Sequence, residues 1–427
     1  MSTIFALASA PGRAGLAVVR VSGPLAGAAL DALAGSRPSP RLASVRRLAW
    51  KGAALDEALL LWFPGPGSFT GEDVAEFHIH GGRAVREGLF AALIELELVP
   101  AQPGEFSRRA VENGRFDLTR AEAVADLADA QTPAQLRQAL GQYQGALARL
   151  YEGWRASLIG ALGRAEAAID FSDDGVGEAE FSAAKAVVSD IIQQIQRHID
   201  DGGRGEALRE GVRLAIVGPP NAGKSSLINA LANRDIAIVS HIPGTTRDVI
   251  AVQLDLGGYP VHVADTAGLR QTSDAIEAEG VRRARAEAAA AHLTLLLLDG
   301  CDGQIPDGVK ADLVVWNKSD LPNFKKQDGL SLSLKSGEGF DALLAALTAK
   351  VAQRLETKGE SPALTRPRHR HALTQALASL RHGLDAREPE LFAEDLRLGL
   401  RAIGRITGAV DVEEILDSVF RDFCIGK

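Results

Sequence analysis

Apolar positions along this chain follow two rhythms that change by region. Up to about residue 118 they come in short runs. Residues 4–8 and 16–21 are β-rich and flank the turn Pro11-Gly12-Arg13; residues 59–63 and 74–79 flank the loop Pro64-Gly65-Pro66-Gly67. Residues 88–97 carry a helical pattern, so the first stretch, 1–118, reads as an α+β module.

The rhythm lengthens at Thr119. Thr119 with Glu122 forms a capping-box signature, and Thr132-Pro133 offers an N-cap followed by Pro at the first helical position. Leu136, Leu140, Tyr143, Leu147, Leu150, Trp154, Leu158, Leu162, Ala165 and Ile169 then recur every three or four residues, which predicts one long helix with a single apolar stripe. After the loop 172–177, Val188, Ile191, Ile192, Ile195 and Ile199 define a second stripe, closed by Asp201-Gly202-Gly203-Arg204-Gly205 and Gly211. Both stripes read as helix-on-helix core. A strand over 212–217 opens an α/β stretch that the basic segment Thr365-Arg366-Pro367-Arg368-His369-Arg370-His371 ends, and the tail is helical again. The expected organisation is therefore an α+β domain at 1–118 and a helical domain split into 119–210 and 361–427. An α/β domain at 211–360 is inserted between the two halves.

The inserted stretch carries recognisable chemistry. Gly218-Pro219-Pro220-Asn221-Ala222-Gly223-Lys224-Ser225, followed by Ser226, fits G-x-x-x-x-G-K-[ST] between a strand and a helix. Its backbone N–H groups can curl around phosphate oxygens, with Lys224 at the β- and γ-phosphates and the Ser225 hydroxyl on Mg²⁺. Asp265-Thr266-Ala267-Gly268 follows a strand at 260–264 and suits a Mg²⁺-bound water and the γ-phosphate. Asn317-Lys318-Ser319-Asp320 decides the base: a carboxylate at Asp320 accepts from guanine N1–H and the 2-amino group together, a pair adenine lacks. Ser333-Leu334-Lys335 lies where a further loop would cover the base, and 249–264 reads as an antiparallel hairpin of the Ras-like type. Between Asp299 and Leu313 only about a dozen residues are left for a parallel crossover, so its helix is expected to be one turn or missing.

Where Ras-type enzymes orient water with a Gln after this Gly, the chain has Leu269. Asn221 could hold a monovalent cation beside the phosphates, or simply stabilise its loop. Glu277 could position water through a second solvent molecule, or be a solvated carboxylate at a helix start; on spacing alone the plainer reading is favoured for both.

Composition narrows the setting. With 46% hydrophobic and 24% charged residues the chain is core-forming, and 47 Lys+Arg against 55 Asp+Glu give a net charge of −8. RNA contact is therefore confined to local basic patches, of which Arg366, Arg368 and Arg370 are candidates against a plain solvated linker. Cys301 and Cys424 stand alone, which excludes disulfide scaffolds and zinc ribbons. No apolar run reaches a membrane-spanning length of roughly 18 residues, and no export signal is evident, so a cytoplasmic setting without membrane contact is expected.

With these residues placed, nearly the whole chain resembles the MnmE (TrmE) family of tRNA-modifying GTPases. The likeness is carried by Thr3-Ile4-Phe5-Ala6, Val19-Arg20-Val21-Ser22-Gly23, Ser68-Phe69-Thr70-Gly71-Glu72-Asp73, His80-Gly81-Gly82 and Gly104-Glu105-Phe106-Ser107. It continues in Asp117-Leu118-Thr119-Arg120-Ala121-Glu122-Ala123, the phosphate loop, Pro243-Gly244-Thr245-Thr246-Arg247-Asp248, Asp265-Thr266-Ala267-Gly268-Leu269-Arg270 and Cys424-Ile425-Gly426-Lys427. The resemblance implies GTPase domains that pair across a homodimer when K⁺ sits beside the phosphates. Asn221, Ser240, Ile242 and Thr245 would be K⁺ ligands within a GTP-contacting stretch that also includes His241, Pro243 and Gly244. Thr246 would join Ser225 on Mg²⁺, and Glu277 matches the family's catalytic glutamate, which reverses the plainer reading.

The resemblance also implies a folate-binding first domain that forms the constitutive dimer. Arg20, Glu76, Arg115 and Lys427 would line a pocket for 5-formyl- or methylene-tetrahydrofolate, with Arg115 standing where the family pattern has lysine. Cys424 reads either as a nucleophile or as a small residue shaping that pocket; His78 and His80 lack a third partner for a metal. With the flavoprotein MnmG, such a protein would add an aminomethyl-type group to the wobble uridine of certain tRNAs. The competing classes are a switch GTPase of ribosome assembly, which the first domain and the Cys-Ile-Gly-Lys segment disfavour, and a P-loop ATPase, which Asn317 to Asp320 disfavour.

Overall fold

The structure is a computed structural model. It describes residues 2–170, 176–238, 250–264, 291–301, 304–305, 310–325, 327–355, 362–410, 416–417, 419–420, 423 and 425–426. The chain forms two compact units, Met1–Ala128 with Gln142–Val187 and Ala378–Lys427, and Asp129–Gly141 with Val188–Leu377.

In the first unit β1 (Ile4–Leu7), β2 (Ala14–Ser22), β3 (Ser44–Trp50), β4 (Ala53–Phe63), β5 (Val74–Gly81) and β6 (Val99–Pro100) make one sheet in the order β3-β4-β5-β2-β1-β6. All neighbours are antiparallel except β1 and β6. Alternation along β5 sorts its side chains. Ala75, Phe77 and Ile79 enter the core that also holds Leu30 and Leu33 of α1 (Ala26–Ala34) and Leu89 and Leu93 of α2 (Arg83–Glu95). Glu76 and His78 therefore point to the opposite face, which carries a smaller apolar cluster of Ile4, Ala6, Ala101 and Phe106.

The next helices of this unit are α3 (Glu105–Glu112) and α4 (Leu118–Asp129). The expected cap at Thr119 is displaced by two residues. Asp117 Oδ1 accepts from the Thr119 and Arg120 N–H groups at 2.8 and 3.2 Å and also from the Thr119 hydroxyl. A carboxylate facing the positive end of the helix outcompetes a hydroxyl for the free amides.

The long helix predicted over 133–169 is two helices, α5 (Pro133–Tyr143) and α6 (Ala146–Asp170). Gly145 at φ 86° breaks the run, in a conformation a left-handed glycine adopts without strain. The stripe breaks with it: Leu147, Trp154, Leu158 and Ala165 are buried, while Leu136 and Leu140 are 45% and 40% exposed. In α5 the small Ala134 and Ala139 are buried instead. Thr132 does cap that helix, in a reciprocal box: Gln135 N donates to Thr132 Oγ1 at 3.4 Å and Thr132 N to Gln135 Oε1 at 3.2 Å.

In the second unit β7 (Val212–Val217), β8 (Ile250–Leu256), β9 (Tyr259–Ala264), β10 (Leu293–Asp299), β11 (Leu313–Asn317) and β12 (Leu330–Ser331) form a sheet in the order β12-β11-β10-β7-β9-β8. Only the β8–β9 pair is antiparallel. Its tight turn uses Gly257 and Gly258 at φ 63° and 90°, the double left-handed geometry of a type I′ hairpin. The parallel strands all end on one edge of the sheet, where their following loops collect. Of the short crossover at 300–312, residues 302–303 and 306–309 lie outside the described residues.

Three helices of this unit, α7 (Val176–Ile199, from Val188 on), α8 (Arg204–Glu210) and α11 (Pro367–Asp385, to Leu377), meet around a half-buried charge network, while α10 (Phe340–Leu355) packs on the sheet core. Arg370 donates to the Ile199 carbonyl at 2.6 Å and pairs with Asp201 at 2.9 Å and Glu206 at 3.2 Å. That guanidinium is thus engaged within the protein, and residues 367–371 form a helix start rather than a linker. Among the described residues no helix is long and apolar enough to cross a membrane.

His198 lies against this network, 8% exposed, and its pKa is pushed down to about 4. Burial is the main cause; His369 and Arg370 act the same way and Asp201 opposes them. The folded state then binds fewer protons than the unfolded chain between pH 6.5 and 4, so stability falls as pH drops through that window. We expect the unfolding free energy of the wild-type chain, measured by urea titration, to fall more over this interval than that of His198→Gln, by a difference on the order of 3 kcal/mol. Equal losses in both proteins would remove His198 as the origin.

Candidate functional site

The turn after β7 begins at Gly218, φ 154°, where a Cβ would lie 2.0 Å from the Leu297 carbonyl oxygen. Only glycine lets the loop leave the sheet so close to β10. Asn221 takes a left-handed φ of 62° and is exposed, and Ala222 is buried. Gly223, φ 103°, packs so tightly on Asn317 that a Cβ would sit 2.5 Å from its Nδ2. α9 (Lys224–Ala232) follows directly, so the loop's amides and the helix N-terminus face the same space. Lys224 Nζ folds back to donate to the Gly218 and Pro219 carbonyls, each at 2.8 Å, and burial lowers its pKa. Ser225 and Ser226 are exposed on the first turn.

The base-reading segment is tied to this loop by one side chain. Asn317, 5% exposed, donates from Nδ2 to the Ala222 carbonyl at 2.9 Å and accepts at Oδ1 from the Leu334 N–H at 3.2 Å. Lys318 adopts φ 68° and its ammonium pairs with Asp299 at the end of β10. Burial disfavours the Asp299 carboxylate, but hydrogen bonds from Lys318 and the Cys301 N–H outweigh it and hold its pKa below the ordinary value. Asp320 Oδ1 accepts from Ser333 Oγ at 2.7 Å, which keeps that carboxylate ionised to lower pH, and the Ser319 N–H donates to the Leu332 carbonyl at 3.0 Å. Lys335 is exposed beside them and adds a favourable charge to Asp320.

Three separated sequence signals, 218–226, 317–320 and 333–335, thus meet in one place. Asp299 was not singled out by sequence; an acid closing the strand before the base motif is the signal that would have found it. Ser240, His241, Ile242, Pro243, Gly244, Thr245, Thr246, Asp265, Thr266, Ala267, Gly268 and Glu277 lie outside the described residues.

A second polar site lies on the outer face of the first sheet. Arg20 on β2 stands opposite Glu76 on β5 and pairs with it through Nε at 3.1 Å and a terminal nitrogen at 3.0 Å. The guanidinium also lies 5.5 Å from the Phe69 ring and 5.9 Å from that of Phe106. His78 Nε2 reaches the other Glu76 oxygen at 3.2 Å, a contact sequence spacing places on the same face. Arg115 is exposed, its stem against Gly71, where a Cβ would come 3.2 Å from Arg115 Cδ.

The described end of the chain returns to this sheet. Ile425 bridges Pro103, and a Cβ on Gly426 would be 2.3 Å from the Leu7 carbonyl, one residue from the Ala6 that pairs with Arg20. Cys424 and Lys427 themselves lie outside the described residues. Close by, Arg109 is 6% exposed and binds Glu72 at 3.2 Å, Glu105 at 2.8 Å and the Ser2 carbonyl at 2.8 Å, an ion network that sequence reasoning missed. His80 Nδ1 lies 2.7 Å from Asp56 Oδ1, and among the described residues no group of three or more His, Cys, Asp or Glu is placed to hold a metal ion.

A glycine-lined phosphate loop at the end of a parallel strand, locked to an Asn-Lys-x-Asp segment beside an antiparallel hairpin, defines a guanine-nucleotide P-loop protein. The family profile for the MnmE helical domain matches residues 118–424, and that for the GTP-binding protein TrmE N-terminus matches 3–115. The chain is 54% identical to the tRNA modification GTPase MnmE of Rhodospirillum rubrum and 52% identical to that of Maricaulis maris, each alignment covering 100% of both proteins. The chain belongs to the MnmE (TrmE) family of tRNA modification GTPases, and it is an enzyme that hydrolyses GTP. Among solved structures the G domain of a T. maritima FeoB iron transporter aligns with 33% of this chain and 99% of its own at 24% identity; its TM-score of 0.24 is too low to add to the fold assignment.

Asn317 is the side chain whose loss should open the cradle. Asn317→Ala leaves the Ala222 carbonyl and the Leu334 N–H without their partner, at a cost of about 2 to 3 kcal/mol. It should show as a lower thermal midpoint of the nucleotide-free chain; an unchanged midpoint would mean that water replaces the amide.

Proposed function

We propose that this chain is a K⁺-activated GTPase which, with the flavoprotein MnmG, modifies C5 of the wobble uridine of certain tRNAs, using a tetrahydrofolate one-carbon donor. Support comes from full-length identity to proteins named for tRNA modification. The observation that carries the GTPase half is the Asn317 bridge between the phosphate loop and the loop at Leu334, with Asp320 beside it.

In this reading residues 1–118 bind folate and hold a homodimer, 211–360 form the inserted GTPase domain, and 119–210 with 361–427 form the helical domain. The backbone of Asn221 to Ser226 cups the phosphates, and Lys224 exchanges its two loop carbonyls for phosphate oxygens. Asp320 accepts hydrogen bonds from the guanine N1–H and 2-amino group, and Ser333, Leu334 and Lys335 cover the base. Ser240 to Thr245 and Asp265 to Gly268 complete the phosphate contacts. Ser225 and Thr246 would hold Mg²⁺; Asn221, Ser240, Ile242 and Thr245 would hold K⁺, and the two cations would offset charge developing on the transferring phosphoryl group. Glu277 orients the attacking water through a second water, the role that Leu269 cannot fill.

On the first sheet Arg20 and Glu76 present paired donors and acceptors of the kind a pterin ring with a carboxylate tail requires, and Arg115 and Lys427 add charge at its margin. Cys424 would serve that pocket either as a nucleophile or as a small residue shaping it. The whole assembly would work in the cytoplasm.

Two outcomes test the proposal. GTP turnover should fall by about a hundredfold when K⁺ is replaced by Na⁺ at constant ionic strength, and equal rates in both salts would overturn the cation's role. Glu277→Ala should keep nucleotide affinity and lose about a hundredfold or more in turnover; a normal rate would take Glu277 out of the mechanism.

A further inference from the structure

The nucleotide loops occupy the C-terminal edge of the second sheet. At the opposite edge, where Leu293 opens β10 and Asp312 precedes β11, lies a cleft of about 300 Å³ lined by Gly202, Arg204, Leu293, Asp312, Lys350, Gln353 and Arg354. It therefore gathers three cations and a single carboxylate in a chain whose net charge is −8. Asp312 Oδ2 accepts from the Thr294 N–H at 2.8 Å, which fixes that carboxylate at the strand end but leaves its charge, so cations still outnumber it three to one in the lining. Among the described residues Lys350 and Arg354 make no ion pair.

The positive field extends beyond the lining. Arg213 is exposed on the adjacent strand end and its N–H donates to His292 Nδ1 at 3.0 Å. Burial and then the charges of Arg213 and Arg354 lower the pKa of His292, while the opposing Glu210 is paired with Arg209 at 3.1 Å. Lys350, Gln353 and Arg354 stand at i, i+3 and i+4 on α10, so all three share one face, and the two charges are about 6 Å apart along the helix axis. Leu293 is the one large apolar side chain in the lining, so the cleft lacks the apolar and aromatic centre typical of a protein interface.

We infer that this cleft is a contact site for the phosphate backbone of the RNA substrate, remote from the GTP loops and read through charge rather than base sequence. The inference rests on the tRNA-modification reading above and locates where part of that substrate is held. Lys350 and Arg354 each neutralise a phosphodiester oxygen, Gln353 adds a neutral donor, and release of condensed counterions drives the contact.

The test uses the full chain and a substrate tRNA transcript, with fluorescence anisotropy at several KCl concentrations. Lys350→Ala/Arg354→Ala should weaken binding about tenfold at moderate salt and lower the slope of log K against log salt by about 1 to 2. Lys350→Arg/Arg354→Lys keeps both charges and should bind as the wild type does, which separates lost charge from lost fold. If the wild type binds the tRNA and the double-alanine variant matches it in affinity and slope, the cleft assignment is overturned while the tRNA reading stands. A wild-type chain that retains no tRNA at any salt overturns that reading as well. A poly-glutamate peptide that loses as much affinity on substitution as the tRNA would make an acidic protein segment the occupant and overturn the RNA assignment.

Discussion

One buried amide holds the nucleotide site together. Asn317 reaches the phosphate loop with its nitrogen and the base-covering loop with its oxygen, so segments roughly a hundred residues apart in sequence share one rigid junction. The tight approach of Gly223 to this amide and of Gly218 to β10 follows from it, since neither position has room for a side chain. The order of strands supplies the rest: β7, β10 and β11 are neighbours and parallel, so their C-terminal ends bring Gly218, Asp299 and Asn317 to one edge. Fold and site are thus one constraint seen at two scales.

The first sheet solves a different problem. One face is fully committed to α1 and α2, which frees the other to carry ionisable groups. Arg20, Glu76 and His78 sit there half-covered, where their attraction is less screened than in open water. The ion network of Arg109 with Glu72 and Glu105 lies close by and anchors α3 to the loop before β5.

Motifs with a fixed chemical purpose were legible in the sequence. The phosphate loop, the Asn-Lys-Ser-Asp segment and the hairpin each combine glycines or polar residues at spacings that backbone geometry dictates, and local order was enough to place them. Contacts decided by packing were not legible. Nothing in Asp299 or Arg109 marks them apart from dozens of other charged residues until the strands bring their partners near. The apolar stripe over 136–169 misled because periodicity ignores what a single glycine permits, and Gly145 resets the phase. Thr119 misled for a related reason: the capping signature was present, but Asp117, two residues earlier, competes for the same amides with a full charge.

The attachment of α5 to the hairpin of the second sheet carries a consequence of its own. The Ala134 N–H donates to the Gly258 carbonyl at 3.0 Å, and the side chains of Gln135 and Gln138 reach the Arg209 and Gly205 carbonyls, each at 3.0 Å. This short helix is bonded to segments sixty-seven or more residues downstream, whereas Gly145 interrupts the run between it and the helix that follows directly. Its amide protons should therefore share the protection of the nucleotide-binding sheet and open with it as one cooperative unit. Loosening of that sheet would be felt at once in a piece of chain that covalent order assigns to a different neighbourhood.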